Sequence, residues 1–183
     1  MAIRLSPLEP RHAGRVALWE LDPAVASGLL RPLGPASVGE VMERASAPSR
    51  DRVHYIIEVT ADRVDRLPPV CPVGFLTLAE GVDRVRWGSF EIALGVPWQG
   101  RGWGRRALEQ VPGLLMAWRG LEAIKVGVFE DNARATGLYR SLGYEVVERS
   151  WLESTGGRRR ALMMSNRPDL FKKREVGFSF GPR

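Results

Sequence analysis

Gln99-Gly100-Arg101-Gly102-Trp103-Gly104 follows an apolar run that ends at Val96-Pro97, and it opens a segment rich in Arg, Ala, Leu and Glu. Three glycines at alternate positions let the backbone approach a ligand with no Cβ in the way. The N–H groups of a helix's first turn are unpaired and sit at the positive end of its dipole. The stretch reads as an anion cradle whose natural guest is a phosphate or pyrophosphate.

Outward from the cradle, Ser89 to Val96 alternates loosely and is rich in apolar residues, as a central strand would be. A helix is predicted from about Gly102. Pro112-Gly113 either kinks it or ends it early, with a restart through Leu114-Leu115-Met116-Ala117-Trp118. Ile124 to Phe129 is the next strand, Asn132 caps a short helix over Ala133 to Leu142, and Gly143 takes the position after its end. Tyr144 to Leu152 and Arg160 to Met164 form a hairpin around Gly156-Gly157. Upstream, Ile3 to Leu5 is a candidate edge strand, and Glu9 to Leu33 has helical periodicity broken by Pro23, Gly28 and Pro32. Ser37 with Glu40 is a capping box for a helix to Ala45. Tyr55 to Val59 and Val73 to Leu78 are strands, with a loop at Pro68-Pro69.

By its bare pattern the cradle admits three readings. Gly102-Trp103-Gly104-Arg105-Arg106-Ala107 satisfies the G-x-G-x-x-A pattern of dinucleotide folds, and Glu122 stands about 20 residues on. The loop lies past mid-chain, however, and Glu122 precedes the Ile124 strand, whereas a ribose-binding acid belongs at a strand's C-terminal end. A phosphate loop of the Gly-Lys-Ser/Thr type is absent. In the third reading, Gln99-x-x-Gly102-x-Gly104 resembles the pyrophosphate loop of the GNAT superfamily of N-acetyltransferases. Asn132, Ala135, Tyr139 and Leu142-Gly143-Tyr144 resemble that family's second signature, at the family's distance downstream. Ile3 to Pro10 and Trp19-x-x-Asp22-Pro23 look like the opening of the branch that includes ribosomal-protein alanine N-acetyltransferases, to which aminoglycoside and polyamine acetyltransferases are related.

The resemblance implies an α/β (α+β) fold, with a mixed, mostly antiparallel seven-stranded sheet flanked by about four helices and acetyl-CoA bound at its splayed centre. It implies that Gln99 belongs to the cofactor site, that the backbone N–H groups of Gly100, Arg101, Gly102, Trp103, Gly104 and Arg105 hold the pyrophosphate, and that Arg101 and Arg105 contact phosphate as well. Leu94 and Val96 would then offer backbone groups to the pantetheine arm and thioester carbonyl. Asn132 would contact the cofactor as well as cap its helix. Tyr139, whose phenol has an ordinary pKa of about 10, is the candidate general acid for the leaving thiolate, against the plain reading of a core aromatic beside Leu138 and Leu142.

The base is less obvious. Some N-terminal acetyltransferases carry a Glu twelve positions before the Tyr, where this chain has Gly127; Glu91 is the candidate carried forward, with Glu130 as a substitute. An α-amine with pKa near 8 is about a tenth neutral at pH 7, and a Lys near 10.4 only about 4 parts in 10,000, so the first acceptor needs less of a base. Arg158-Arg159-Arg160 reads chiefly as a solvated turn, although it could reach an acidic acceptor or the cofactor's 3′-phosphate.

Composition narrows the field. At 183 residues, 44% hydrophobic and 26% charged, the chain is long enough for one domain that buries roughly 70% of its unfolded surface. We assign the domain to residues 1–166 and a basic tail to 167–183. No apolar stretch has membrane-spanning length, and the start, Met1 to Pro7, lacks the apolar core of a signal peptide, so a cytoplasmic protein, monomeric or homodimeric, is expected. One cysteine, Cys71, and two distant histidines, His12 and His54, argue against a metal centre or a disulfide. The net charge is +6, from 27 basic and 21 acidic residues, and half of it lies in the tail; the body lacks the dense basic stripe of a nucleic-acid reader. The expected partners are acetyl-CoA and an amine, either a protein N-terminus or a small molecule. A nucleotide-binding oxidoreductase and a non-catalytic nucleic-acid module are the rivals.

Overall fold

The period-2 alternation of Tyr55-Ile56-Ile57 decides how the molecule is layered. Successive strand residues face opposite sides, so Ile56 and Ile57, both fully buried, go to two different cores. The structure is a computed structural model of the chain and describes residues 2–30, 36–47, 49–60, 70–82, 85–154 and 157–171. Strands β1 (Ala2–Pro7), β2 (Arg52–Thr60), β3 (Val70–Val82) and β4 (Arg86–Leu94) form an antiparallel sheet in that order, with β1 at the edge. Strands β5 (Lys125–Phe129), β6 (Glu145–Ser154) and β7 (Gly157–Ser165) form a second antiparallel sheet, in the order β5-β7-β6.

The predicted seven strands are present, divided between these two sheets. β4 and β5 are parallel and touch through one bridge, Gly88 with Ile124, where the Gly88 N–H donates to the Ala123 carbonyl at 2.8 Å. Beyond that bridge the two strands diverge toward Leu94 and Phe129.

The helices are α1 (Ala13–Leu21), α2 (Pro23–Ala26), α3 (Val38–Ser46), α4 (Trp103–Leu108), α5 (Val111–Arg119), α6 (Ala133–Ser141) and α7 (Pro168–Phe171). Where about four were expected, prolines have cut longer segments in two. Pro23 sits in the first turn of α2 behind the cap Asp22, and Pro112 in the first turn of α5, where its missing N–H costs nothing. The predicted helix after the glycine loop therefore ends early and restarts. The Ser37–Glu40 capping box forms in both directions, at 3.2 and 2.7 Å. The Pro68-Pro69 loop, Pro32, Gly156 and the tail beyond Phe171 lie outside the described residues.

One core packs α4, α5 and α6 against both sheets, through Ile57, Leu76, Phe90, Leu115, Val128 and Met164 among others. The other lies on the opposite face under α1, α2 and α3, around Ile56, Phe75, Val41 and Ala93. Each fully buried Leu or Ile contributes about 1.5–3 kcal/mol. Glu20, fully buried on α1, accepts from Arg44 on α3 at 3.1 Å and from the Ala36 N–H at 3.0 Å, which ties the second layer together.

Candidate active site

The divergence of β4 from β5 exposes backbone that a continuous sheet would have paired. Gly88 donates toward β5, whereas Gly95 donates to Val73 on β3 at 2.9 Å, with no bulge between them. Backbone groups alternate edges along a strand, so Ile92 and Leu94 turn theirs toward β5, into the gap. A cavity of about 840 Å³ fills that gap, walled on one side by Ile92 and Leu94 and on the other by Gly127 and Val128.

The glycine loop closes one wall. Gly100 (φ 76°) and Gly102 (φ 79°) are in the left-handed region, which side chains with a Cβ enter only at a cost. Gly102 is the N-cap of α4, and a Cβ there would meet nothing within 4 Å. Gly104 already lies within α4 and lines the cavity; its Cβ would make ordinary 3.7 Å contacts with Leu94 and Leu138. Gln99 works as a buckle, its Nε2 donating to the Leu94 carbonyl at 3.0 Å and its Oε1 accepting from Arg134 at 2.6 Å. Arg105 lines the cavity and donates to the Ser141 hydroxyl.

Three residues of the expected cofactor set point elsewhere. Trp103, 7% exposed, turns its indole into the core, because as the first residue of α4 it is on the buried face. Arg101 stacks over Trp98 with 5.5 Å to the ring centroid. Val96 stands in a single 3-10 turn (Val96–Trp98), its side chain exposed and its carbonyl occupied by the Gln99 N–H at 3.2 Å. Any contribution these three make to a ligand in the cavity comes from backbone.

Asn132 caps α6, its Oδ1 accepting from the Ala135 N–H at 3.1 Å. Seven residues is close to two helical turns, so Tyr139 falls on the same face as Asn132 and both line the cavity. The Tyr139 ring is packed edge-on to Phe90 at 5.4 Å and lies 6.1 Å from Tyr144. Burial, then Tyr144 and Glu91, raise its phenol above the ordinary tyrosine range; burial alone pushes Tyr144 up to about 12. The core-aromatic reading and the cavity-lining reading hold for the same ring.

The carboxylates fall differently from expectation. Phe90 packs with Tyr139, and Ala93 with the α1–α3 layer; by alternation Glu91 shares the face of Ala93, and the residues lining the cavity include Ala93 but not Glu91 itself, whose charge acts on Tyr139. Glu130 is engaged by Arg160 at 3.0 Å and Arg149 at 3.9 Å. Among the described residues the carboxylate that lines the cavity is Asp131, which sequence reasoning missed, and it is bound by Arg159 at 2.6 and 3.3 Å. In the arginine run Arg158 and Arg160 are exposed, as a solvated run would be, but they stand on β7; Arg159 departs from that reading, being also seated over the Phe129 ring at 3.7 Å, while Arg158 stacks on Trp151 at 5.6 Å. Arg134, also missed, lines the cavity two residues after Asn132.

Among the described residues no group of three or more His, Cys, Asp or Glu could hold a metal ion, and Cys71 is buried. Nor is any described helix long and apolar enough to cross a membrane. Glu122, the ribose-binding candidate, does not line the cavity.

A sheet split between parallel strands, with a glycine loop at the exit of the first, is the arrangement that the resemblance of the loop and of the Asn132–Tyr139 signature implies. The sequence profile of the acetyltransferase (GNAT) family matches residues 30–144, and the chain belongs to that family as an N-acetyltransferase. None of the curated proteins matches the chain. Among solved structures, the spermidine N-acetyltransferase from Vibrio cholerae in complex with CoA and spermine is similar at a TM-score of 0.75 and 15% identity, covering 89% of this chain and 94% of that one. An acetyltransferase of the GNAT family from Streptococcus pneumoniae matches at 0.65 and 16%, covering 90% and 98%. A domain from Methanocaldococcus jannaschii matches at 0.69 and 16%, covering 90% and 97%. At these identities the likeness is one of fold.

Proposed function

We propose that the chain transfers the acetyl group of acetyl-CoA to the α-amine of a polypeptide N-terminus. The observation that carries the donor half is the convergence of the glycine loop, the cleft-facing backbone of Ile92 and Leu94, and Tyr139 on one cavity. The N–H groups of the loop and of the first turn of α4 suit a diphosphate, and Arg105 and Arg134 add positive charge beside it. The amine nitrogen attacks the thioester carbonyl carbon, the C–S bond breaks, and sulfur leaves with the bonding pair. A backbone N–H of Ile92 or Leu94 stabilises the charge that develops on the carbonyl oxygen. Tyr139 donates its proton to the departing sulfur, the proton lost by the amine goes to solvent, and the phenol takes a proton back from solvent before the next turnover.

The acceptor half rests on charge. Asp131, the carboxylate in the described lining, is held by Arg159, and Arg105 and Arg134 share the cavity with it. A polyamine would need carboxylates for its further ammonium groups, and the one in the described lining, Asp131, is already paired with Arg159. A peptide N-terminus brings one amine, already partly neutral at pH 7, and so places less demand on a base. The spermidine enzyme among the structural neighbours favours the alternative, a small polyamine acceptor. Comparing kcat/KM for peptides with Ala, Ser or Met at the N-terminus against spermidine decides between them, and faster turnover of spermidine would reverse the assignment.

A further inference from the structure

Three neighbouring residues after α2 reach across to the other half of the molecule. The Ser27 carbonyl accepts from Arg159 Nη1 at 2.8 Å. Gly28 lies so close to Asn132 that a Cβ there would stand 3.2 Å from its Nδ2. Leu30 places Cδ1 2.9 Å from where a Cβ of Gly127 would project, so it occupies on β5 the space that a side chain at position 127 would need. The chain making these contacts comes from the α1–α3 layer, whereas Asn132, Gly127 and Arg159 belong to α6, β5 and β7.

Arg159 is gripped on three sides: by the Phe129 ring, by both carboxylate oxygens of Asp131, and by the Ser27 carbonyl. A planar fork of donors satisfies all three at once, which the point charge of a lysine cannot do. Val25 and Leu29 pack in the α1–α3 layer, and Tyr139 and Trp103 in the opposite one, so residues 24–29 and the glycine loop wall the cavity from opposite faces of the sheet. If the donor lies along the glycine loop, the acceptor meets the wall at 24–29.

We propose that Arg159 is a positioning residue that latches residues 27–30 as the acceptor-side wall of the cleft, and thereby sets how tightly the acceptor amine is held without acting on the donor. This rests on the reading of the cleft as the site of acetyl transfer. The latch also holds Asp131, the carboxylate in the described cavity lining, on the same side as Ser27.

The experiment pairs amide hydrogen exchange with steady-state kinetics on the full chain. In Arg159→Gln, the Gly28 and Leu29 amides, which donate to Val25 and Ala26 at 3.0 and 3.1 Å, exchange about tenfold faster or more. The KM of the acceptor rises about tenfold, as expected when a charge-assisted contact is lost, and the KM of acetyl-CoA stays put. Arg159→Lys, which keeps the charge over Phe129 and guards against a folding failure, falls between the two. Unchanged exchange overturns the latch, and it does so even if the chain acetylates no amine tried, because exchange needs no turnover. Faster exchange with an unmoved acceptor KM, or with an equal rise in the acetyl-CoA KM, overturns the acceptor role.

Discussion

Gln99 and Arg134, 35 residues apart in sequence, meet at 2.6 Å, and through that contact the glycine loop is fastened to the first turn of α6. The same Gln99 side chain holds the Leu94 carbonyl at 3.0 Å. Strand exit, loop and helix are thus one unit, and the donor site depends on all three.

Gln99→Ala is therefore expected to raise the KM of acetyl-CoA about tenfold, the worth of ~1.5 kcal/mol for a hydrogen bond to a charged group. Arg134→Ala should act in the same direction. The double variant should cost at least about 0.5 kcal/mol less than the sum, as residues in contact do. Additive effects in the cycle would show that the buckle does not act as a unit.

The glycines of the loop separate strain from access. Gly102→Ala places a Cβ at φ 79°, which costs about 1 kcal/mol of stability or more, readable as a shift in the urea midpoint. Gly104→Ala lies in a helix and makes only ordinary contacts, so stability should hold or rise by up to about 1 kcal/mol while acetyl-CoA binding weakens, since the new methyl group lines the cavity. Titration calorimetry on Gly104→Ala checks this; undiminished affinity would remove that backbone from the donor path.

The phenol of Tyr139 is held above its ordinary range by burial first and by Tyr144 and Glu91 next, so it stays protonated from pH 6 to 9. The rate should rise with pH as the acceptor amine loses its proton, near pH 8 for an α-amine, with no limb belonging to Tyr139. Tyr139→Phe should lower kcat about 10²-fold or more and leave that apparent pKa in place.

Stability follows the same sign. Below pH 10 both phenols are neutral in the folded and unfolded chains, so neither makes stability depend on pH. Above pH 10 the unfolded chain gives up protons that the folded one keeps, because Tyr144 is pushed up to about 12 and Tyr139 higher still, and stability falls. Tyr144→Phe should flatten that alkaline decline in urea titrations between pH 9 and 11.

The buried pair Glu20–Arg44 makes a prediction away from the site. Arg44→Met removes one charged partner of a carboxylate of zero exposure and should cost about 1.5–3 kcal/mol in denaturant unfolding. A loss below about 1 kcal/mol would mean that the partners Glu20 keeps, the Ala36 N–H among them, satisfy it without Arg44.

Legibility in the sequence followed distance along the chain. The glycine loop, the Asn132 cap and the seven-residue step to Tyr139 are local patterns, and strand and helix periodicities are short-range signals of the same kind. Arg159 looked like part of a solvated run because a linear reading does not see alternation: in β7 it faces away from Arg158 and Arg160, and its partner Ser27 lies 132 residues earlier. The alternation Phe90, Ile92 against Glu91, Ala93 already puts Glu91 on the α1–α3 face, with Ala93 of that face lining the cavity. Asp131 and Arg134 flank a predicted cap, and only the divergence of β4 from β5 reveals that they line a cavity.

The most direct test is to incubate the chain with acetyl-CoA and an Ala-initiated peptide, following free thiol release and peptide mass together. The account predicts one thiol released for each acetyl group gained on the peptide's α-amine, with the reaction strongly reduced in Tyr139→Phe. Binding of NAD(P) in place of acetyl-CoA, or thiol release no faster than uncatalysed hydrolysis with every amine supplied, would contradict it.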